Sequence, residues 1–577
     1  MKKRIYSLCV FLPSTFVFAQ GADVVLEGES DRSVEPAYRI ALTPSMIDTT
    51  IPMETVEYPM LVLKYNTDTD LEKINPVSLK INETLSKLYH TYVKLGVGSE
   101  FMPLGEMYFD AKRSRKYMYG AHLKHLSSFG NLPDYAPAQF DRTRINVYGG
   151  INQRRYTLRG DIHYNNQGFH YYGIRQALAD SLGLFKDSLA QRYSDFGIGG
   201  SFASHKKDSG NVNFKIGLNY NRYGSRKPGP QFNPDWRARE NFLGIRTGAW
   251  YQMGEHRLEG DLNVLHNSYM YGADGVLDTS FVNSLDTALR LRNTIVNLYP
   301  RIITHLQDDR FRVQAGLNLL IDGHERTQAY VYPMLEVKYS MFNDIFIPYV
   351  GIRGGTNQTT FKSLTQDNEF LLPNLHMQNE NTRIELYGGI KGTISRRIGF
   401  NANASFADVR GLAMYVNDTT FSRGNKFDVI FDTAKVARIE GSMYFQLKEK
   451  MKVDVLGRLN SYNMRNNAYA WNRPTLEFML RGSYNLADKL LLNMDMKLEH
   501  GRKALVYTPE DNVTWEDNQL VKNLGFLADA NIGLEYRYSP RLSAFIQANN
   551  VAAQRYMRYH NTPVQAFQVM GGITARF

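Results

Sequence analysis

The chain has 577 residues, 43% of them hydrophobic, and a formal net charge of +11. After the N-terminus no apolar run approaches the roughly 20 residues that a membrane helix needs, so a helical membrane protein is excluded. The basic residues are spread along the chain rather than gathered in a patch, which argues against nucleic-acid binding.

The N-terminus has the pattern of a secretory signal. The basic start, Lys2 to Arg4, precedes a largely apolar stretch, and Val17-Phe18-Ala19 then supplies a cleavage site. We therefore predict a signal peptide at residues 1–19. The alternative of a short anchor helix is disfavoured because the apolar part is too short. The chain has one cysteine, Cys9, which lies inside this segment, so the remainder needs no disulfide.

Residues 20–81 differ from the rest of the chain. They lack sustained alternation of polar and apolar residues and contain Pro36, Pro44, Pro52, Pro59 and Pro76. This composition predicts a largely irregular N-terminal segment, periplasmic or lumenal, with one short strand near residues 60–65.

From residue 88 onward, stretches that alternate with a period of two follow one another to the C-terminus. In the last stretch, Phe567 to Phe577, the apolar side chains fall on one face and most polar side chains on the other. We count about 22 such strands, including 489–507, 522–538 and 541–559. A soluble sandwich also alternates, so alternation alone does not identify the architecture.

The connections between the predicted strands distinguish a sandwich from a membrane barrel. After even-numbered strands the turns are tiny and charged, as at Gly254-Glu255 and Arg396-Arg397. After many odd-numbered strands the loops are long, as at 129–141 and 359–380. Short periplasmic turns and long extracellular loops are typical of outer-membrane barrels. We predict an all-β fold at residues 82–577, a transmembrane antiparallel barrel of about 22 strands, integral to a Gram-negative outer membrane.

Aromatic residues cluster toward the ends of the predicted strands. We interpret them as girdles at the two membrane interfaces, although tyrosine is common in any strand. They are Tyr171, Tyr172, Trp250, Tyr251, Tyr269, Tyr271, Tyr330, Tyr332, Tyr469, Trp471, Tyr556 and Tyr559.

The C-terminal strands carry a family resemblance. The relevant residues are Phe545-Ile546-Gln547-Ala548-Asn549-Asn550-Val551, Arg555-Tyr556-Met557-Arg558-Tyr559 and Phe567 to Phe577. With the strand count, they resemble the barrel of a TonB-dependent receptor of the Bacteroidota type, over roughly residues 88–577. The resemblance implies a lumen that is normally plugged. Such receptors carry a globular plug at least about twice as long as segment 20–81, so we predict a relative that lacks a full plug domain.

Candidate metal ligands do not converge in the sequence. His122 and His125 lie three residues apart on one strand and therefore point to opposite faces. A metal site would need His122 to meet His90 on a neighbouring strand, or His163 or His170 farther round. The simpler interpretation is that these are lumenal or interfacial histidines bonded to water or a carboxylate.

Catalytic signatures are absent from the sequence. It contains no Gly-x-Ser-x-Gly elbow, no His-Glu-x-x-His motif and no phosphate-binding glycine loop. Asp308-Asp309 lies in a short turn and is interpreted as a solvated pair. We predict that the chain is not an enzyme and has no catalytic, cofactor-binding or metal-ligating residues. A barrel hydrolase with a converging Ser-His pair remains an open alternative, although such barrels are usually much smaller.

The predicted function is passage or uptake of a solute across the outer membrane by a receptor-like barrel. The N-terminal segment, the loops or a partner would gate the lumen. The alternative is a non-enzymatic scaffold or conduit barrel in an outer-membrane secretion or assembly complex. Expected partners are outer-membrane lipid and a periplasmic or surface lipoprotein. Glu54-Thr55-Val56 faintly resembles the short box that contacts TonB, but we expect no TonB contact, because a barrel without a plug offers TonB little to pull.

The first prediction concerns the N-terminal segment. If it occupies the lumen, deleting residues 24–80 will raise the single-channel conductance in planar bilayers. A deletion variant whose channel stays closed would exclude this segment as the gate.

Overall fold

The computed structural model describes residues 88–112, 114–184, 186–206, 210–226, 237–272, 289–306, 310–324, 326–447, 450–507 and 513–577. The predictions for residues 1–19, for segment 20–81 and for Asp308-Asp309 lie outside these ranges. Within them, no helix is long and apolar enough to cross a membrane.

Strands make up most of the described chain. The strands of the main sheet are β1 (Thr91–Gly98), β2 (Met102–Asp110), β3 (Tyr117–Ser128), β4 (Phe140–Asn152), β5 (Tyr156–His170), β6 (Ala190–Ser204), β7 (Asn213–Ser225), β8 (Arg237–Met253), β9 (His256–Gly272), β10 (Leu289–Leu306), β11 (Phe311–Gly323), β12 (Thr327–Tyr339), β13 (Ile347–Asn357), β14 (Glu380–Ser395), β15 (Ile398–Asn417), β16 (Phe427–Leu447), β17 (Met451–Met464), β18 (Leu476–Leu486), β19 (Leu490–His500), β23 (Leu527–Arg537), β24 (Leu542–Asn549) and β27 (Gln568–Arg576). The connections contain β20 (Lys503–Val506), β21 (Val513–Glu516), β22 (Gln519–Asn523), β25 (Met557–Tyr559), β26 (Thr562–Pro563), α1 (Gln176–Ser181), α2 (Lys186–Leu189) and α3 (Phe361–Asp367).

The main sheet is a closed barrel of 22 strands. Each strand pairs antiparallel with its neighbours in the chain, with β19 beside β23 and β24 beside β27. The last strand then pairs with the first, with Leu95 opposite Ile573. Closure leaves no free strand edge in the ring. The predicted fold class is therefore confirmed, and the last alternating stretch of the sequence, Phe567 to Phe577, contains the strand that closes the ring.

The two faces of each barrel strand have different characters. On β27, Ile573 is 53% exposed, whereas Met570 and Thr574 are 4% and 1% exposed. Successive side chains of a strand point to opposite faces, so the exposed apolar set lies outside the ring and the other set inside. This is the pattern of a barrel whose outer face meets lipid.

Three predicted strands near the C-terminus extend beyond the strands that the structure shows. The predicted strand 489–507 combines β19 with β20, which belongs to a small sheet with β21 and β22. Gly501 separates them, because its φ of 77° turns the chain. The predicted 541–559 likewise combines β24 with β25, and 522–538 begins inside β22. Alternation continues across these bends, which is why the pattern did not reveal them.

The second prediction tests the outward face of β12. Leu335 is 45% exposed outside the ring, so Leu335→Arg should destabilise the barrel by about 2–4 kcal/mol if it lies near the bilayer midplane. Gln314 on β11 lies opposite the inward-facing Glu336, one residue from the level of Leu335, and Gln314→Arg should have little effect. Equilibrium folding into lipid vesicles measures both. Equal losses for the two variants would contradict the assigned faces.

Candidate functional site

The connection between β13 and β14, residues 358–379, folds into the barrel mouth, and we call it the inward loop. It contains helix α3, which Thr360 and Ser363 cap reciprocally: each side-chain oxygen accepts the other residue's backbone N–H at 3.0 Å. The helix stops at Asn368, which has an extended backbone conformation. Phe361 and Leu364 of α3 are buried, so a locally stabilised helix turns its apolar side chains toward the protein.

Tyrosine hydroxyls hold the backbone of the inward loop. Each donates a hydrogen bond to a backbone carbonyl: Tyr171 to Leu371 (3.0 Å), Tyr193 to Glu369 (3.0 Å), Tyr269 to Pro373, Tyr415 to Leu364 (3.4 Å) and Tyr559 to Asp367 (2.7 Å). A buried carbonyl without a partner would cost free energy. These contacts let an irregular segment lie inside the barrel.

An aromatic cluster surrounds the start of α3. The ring of Phe361 is fully buried and lies 5.9, 5.7 and 5.5 Å from the rings of Tyr193, Tyr223 and Tyr269. Ring pairs at such distances add to the free energy gained by burying apolar surface. The cluster therefore fixes α3 against strands β6, β7 and β9.

Charged groups of the wall hold the same end of the loop. The Nζ atom of Lys362 lies 2.8 Å from the carboxylate of Asp195 on β6. The carboxylate of Glu240 on β8 accepts the backbone N–H groups of Phe361 and Lys362 at the start of α3. A negative carboxylate near the N-terminus of a helix also interacts favourably with the helix dipole. Farther along, Arg142 on β4 forms an ion pair with Glu369 at 3.0 Å.

The C-terminal part of the inward loop is bonded to other strands. Asn379 exchanges side-chain hydrogen bonds with Asn293 on β10, at 2.7 and 3.0 Å, and the Nε2 atom of His324 lies 2.6 Å from the carbonyl oxygen of Met377. At Gly411 on β15 the backbone has a φ of 73°, and a Cβ atom there would collide with the carbonyl of Asn379. Glycine thus permits the loop to approach β15 closely.

The contacts of the inward loop are distributed around the ring. They involve β4 to β11 on one side, Tyr415 on β15, a bridge from Leu371 to Phe427 on β16, and Arg558 and Tyr559 between β24 and β27. A loop lying along one wall could not reach all of these. The inward loop therefore crosses the mouth of the lumen.

A neighbouring connection contributes a buried cation. Lys426, between β15 and β16, is 4% exposed, and its Nζ atom lies 4.7 Å from the ring centre of Tyr171. Burial lowers the pKa of Lys426 to about 8 and raises the pKa of Tyr171 to about 12. The tyrosine that anchors Leu371 is therefore protonated at neutral pH and can donate.

The histidines considered in the sequence do not form a shared site. His122 bonds to the carboxylate of Glu106 at 3.0 Å, whereas His125 bonds to Thr143. His163 lies 3.4 Å from the carboxylate of Asp195. The remaining two donate to backbone carbonyl groups: His90 to that of Asp110 and His170 to that of Gln139. In the described part of the chain, no group of three or more His, Cys, Asp or Glu residues is arranged to hold a metal ion.

The girdle interpretation was wrong for half of the aromatic residues considered. These six are less than 10% exposed and lie inside the barrel or under its loops: Tyr171, Tyr269, Tyr271, Tyr332, Trp471 and Tyr559. Tyr269 alternates in phase with the inward-facing Asn267 on β9, and that phase was the available signal. Asp195, Glu240 and Lys362 were missed, because each looks like an ordinary solvated charge in the sequence.

Comparison with known proteins identifies the fold of the chain through solved structures. No protein-family model and no curated protein matches the sequence. Several solved structures match, among them the ferric-catecholate import receptor Fiu from Escherichia coli K12, with 9% identity, a TM-score of 0.61 and coverage of 85% of this chain and 82% of that one.

Two further structures match similarly. The FrpB iron transporter from Neisseria meningitidis has 9% identity, a TM-score of 0.63 and coverage of 85% and 82%. The ferripyoverdine receptor of the Pseudomonas aeruginosa outer membrane has 12% identity, a TM-score of 0.60 and coverage of 85% and 72%. The chain has the fold of a TonB-dependent receptor barrel. At these identities the likeness concerns the fold alone, so the Bacteroidota origin and the missing plug domain stay predictions.

The third prediction tests the anchoring of α3. Asp195→Asn removes the charge that pairs with Lys362, and charge-assisted hydrogen bonds contribute about 1.5–3 kcal/mol. Local opening of the inward loop should therefore rise roughly 10- to 100-fold. Trypsin cleavage at Lys362 measures this opening, because Lys362 is the one lysine or arginine in the sequence of residues 358–379. Asp161→Asn on β5 is the control, since Asp161 has no contact with the loop among the described residues. Unchanged cleavage in Asp195→Asn would contradict the anchor.

Proposed function

We propose that the protein is an outer-membrane barrel through which a solute passes, and that the inward loop closes its extracellular mouth. The observation that carries the proposal is the ring of contacts that the inward loop makes, from Arg142 on β4 round to Tyr559 near β27. Three solved proteins with this fold are named an import receptor, a transporter and a receptor. Those names support a transport role rather than an enzymatic one.

The width of the barrel supports a closed resting state. Barrels of about 22 strands enclose a lumen that is wide enough to need a plug. An open lumen of that width would let small solutes leak across the membrane. The inward loop, with its buried Phe361 and its carbonyls bonded to the wall, supplies an obstruction from within the chain.

The contacts that hold the inward loop are also of a kind that permits the loop to open. They are hydrogen bonds, aromatic contacts and ion pairs such as Asp195 with Lys362, and none is covalent. Segments held in this way open locally at a lower free-energy cost than the strands around them. The proposed cycle is therefore closure by the inward loop, local release at the mouth and passage of the solute.

The exposed apolar face of the barrel supports integral placement in the outer membrane, with lipid as the surrounding partner. The scaffold alternative and the lipoprotein partner remain predictions, because no contact among the described residues favours them. The expectation that TonB does not contact the chain is also untested.

The fourth prediction tests closure. Replacing residues 361–376 with a short Gly-Ser linker should raise the single-channel conductance in planar bilayers several-fold, because the obstruction is removed. The control replaces residues 176–181, helix α1 of another long connection, with the same type of linker. A channel that stays closed without the inward loop would contradict the proposal, whatever the result for segment 24–80.

A further inference from the structure

A cavity of about 250 Å³, which we call the mouth pocket, lies beside the inward loop. Glu369 and Phe370 of the inward loop form one side of it. Asp529 of β23, and Tyr556 and Arg558 of the connection between β24 and β27, form another. The loop that closes the mouth is thus also a wall of the pocket.

Within the part of the chain that the structure describes, two opposite charges of the mouth pocket, Arg558 and Asp529, form no direct ion pair. Arg142 is neutralised by Glu369. In contrast, no carboxylate among the described residues lies within ion-pair distance of Arg558, whose guanidinium donates to the carbonyl of Asp367 and lies 5.7 Å from the ring centre of Tyr559. Asp529 accepts the hydroxyl of Tyr556 through Oδ2 at 2.9 Å, and its buried Oδ1 atom has no hydrogen-bond partner among the described residues. Among the described residues, the pocket therefore offers one guanidinium without an ion pair and one carboxylate without a basic partner.

The rest of the pocket combines an aromatic wall with amides. The ring of Phe370 packs edge-on against Phe169 and Tyr172, at 5.7 and 5.4 Å. Side-chain amides, including those of Asn549 and Gln568, also line the pocket. Aromatic rings accept apolar groups, and amides pair with the N–H and C=O groups of a peptide bond.

The connection that carries Arg558 is held in place before any ligand arrives. Asn550 is 6% exposed, and its amide donates to the carbonyls of Gln554 and Gln565 at 2.8 and 2.9 Å. Its own backbone N–H donates to Asn531 on β23. A site whose supports are already bonded loses less entropy on binding.

We propose that the mouth pocket binds a short zwitterionic peptide with an apolar side chain. The peptide carboxylate pairs with Arg558, its ammonium group with Asp529, and its side chain with Phe370. A saccharide also suits amides and aromatic rings, but it would leave both charges unmatched, whereas a zwitterion neutralises them. The inference deepens the proposed function by naming a substrate class, and it rests on that function only for transport, not for binding.

The fifth prediction is tested by calorimetric binding to the full-length protein in detergent. The probes are alanyl-phenylalanine, its N-acetyl derivative, its C-terminal amide and maltose. The free dipeptide should bind, and each blocked form should bind roughly tenfold or more weakly, because it loses a charge-assisted contact. In Arg558→Gln the amide should bind as well as the dipeptide, and in Asp529→Asn the acetylated form should. Arg555→Gln, outside the pocket, should bind like the unaltered protein.

The outcomes separate this inference from the transport proposal. Preferences that disappear with the matching variant support the zwitterion site. The inference is overturned if the folded protein binds no dipeptide, binds maltose equally well, or binds all three peptides alike. None of these results bears on whether removing residues 361–376 opens the channel, so the two proposals can fail independently.

Discussion

Pairing of the last barrel strand with the first is the constraint on which the structure depends. In the hydrocarbon layer an unpaired strand edge would leave N–H and C=O groups without partners, at several kcal/mol each. The ladder from Tyr92 opposite Arg576 to Gly98 opposite Met570 removes that edge. Closure over 22 strands fixes which face of every strand meets lipid. It also creates a wide interior that side chains from the wall cannot fill alone.

The inward loop occupies part of this wide interior, and ordinary hydrogen bonds, apolar contacts and ion pairs hold it there. An irregular backbone inside a barrel needs partners for its polar groups, and tyrosine supplies them because it joins an apolar ring to one hydroxyl. Phe361 and Phe370 add apolar contacts at two points. Two charged side chains of the loop, Lys362 and Glu369, form ion pairs with Asp195 and Arg142 on the wall. The same residues close the mouth and shape the pocket beside it.

Much of the fold was readable from the sequence, because a barrel repeats one local rule. Period-two alternation located the strands, and the alternation of short and long connections located the two ends. The errors lay where alternation continued through a bend, as at Gly501. The destination of the inward loop was not readable. Tyr171 and Leu371 are 200 residues apart, and nothing local in residues 359–380 distinguishes a loop that turns inward from one that meets water. The pocket was hidden for the same reason, since Asp529 and Arg558 meet only once the ring has closed.

The tyrosine anchors recognise carbonyl groups, which every residue carries. This part of the fastening of the inward loop is therefore indifferent to the side chains at the positions whose carbonyls are bonded. Positions such as Gln366, which is exposed, and Glu369, which faces the pocket, can change without removing a single tyrosine-to-carbonyl bond. The barrel thus separates attachment from recognition. New binding preferences can arise by substitution of a few residues in this one loop, while the barrel wall that holds the loop is unchanged.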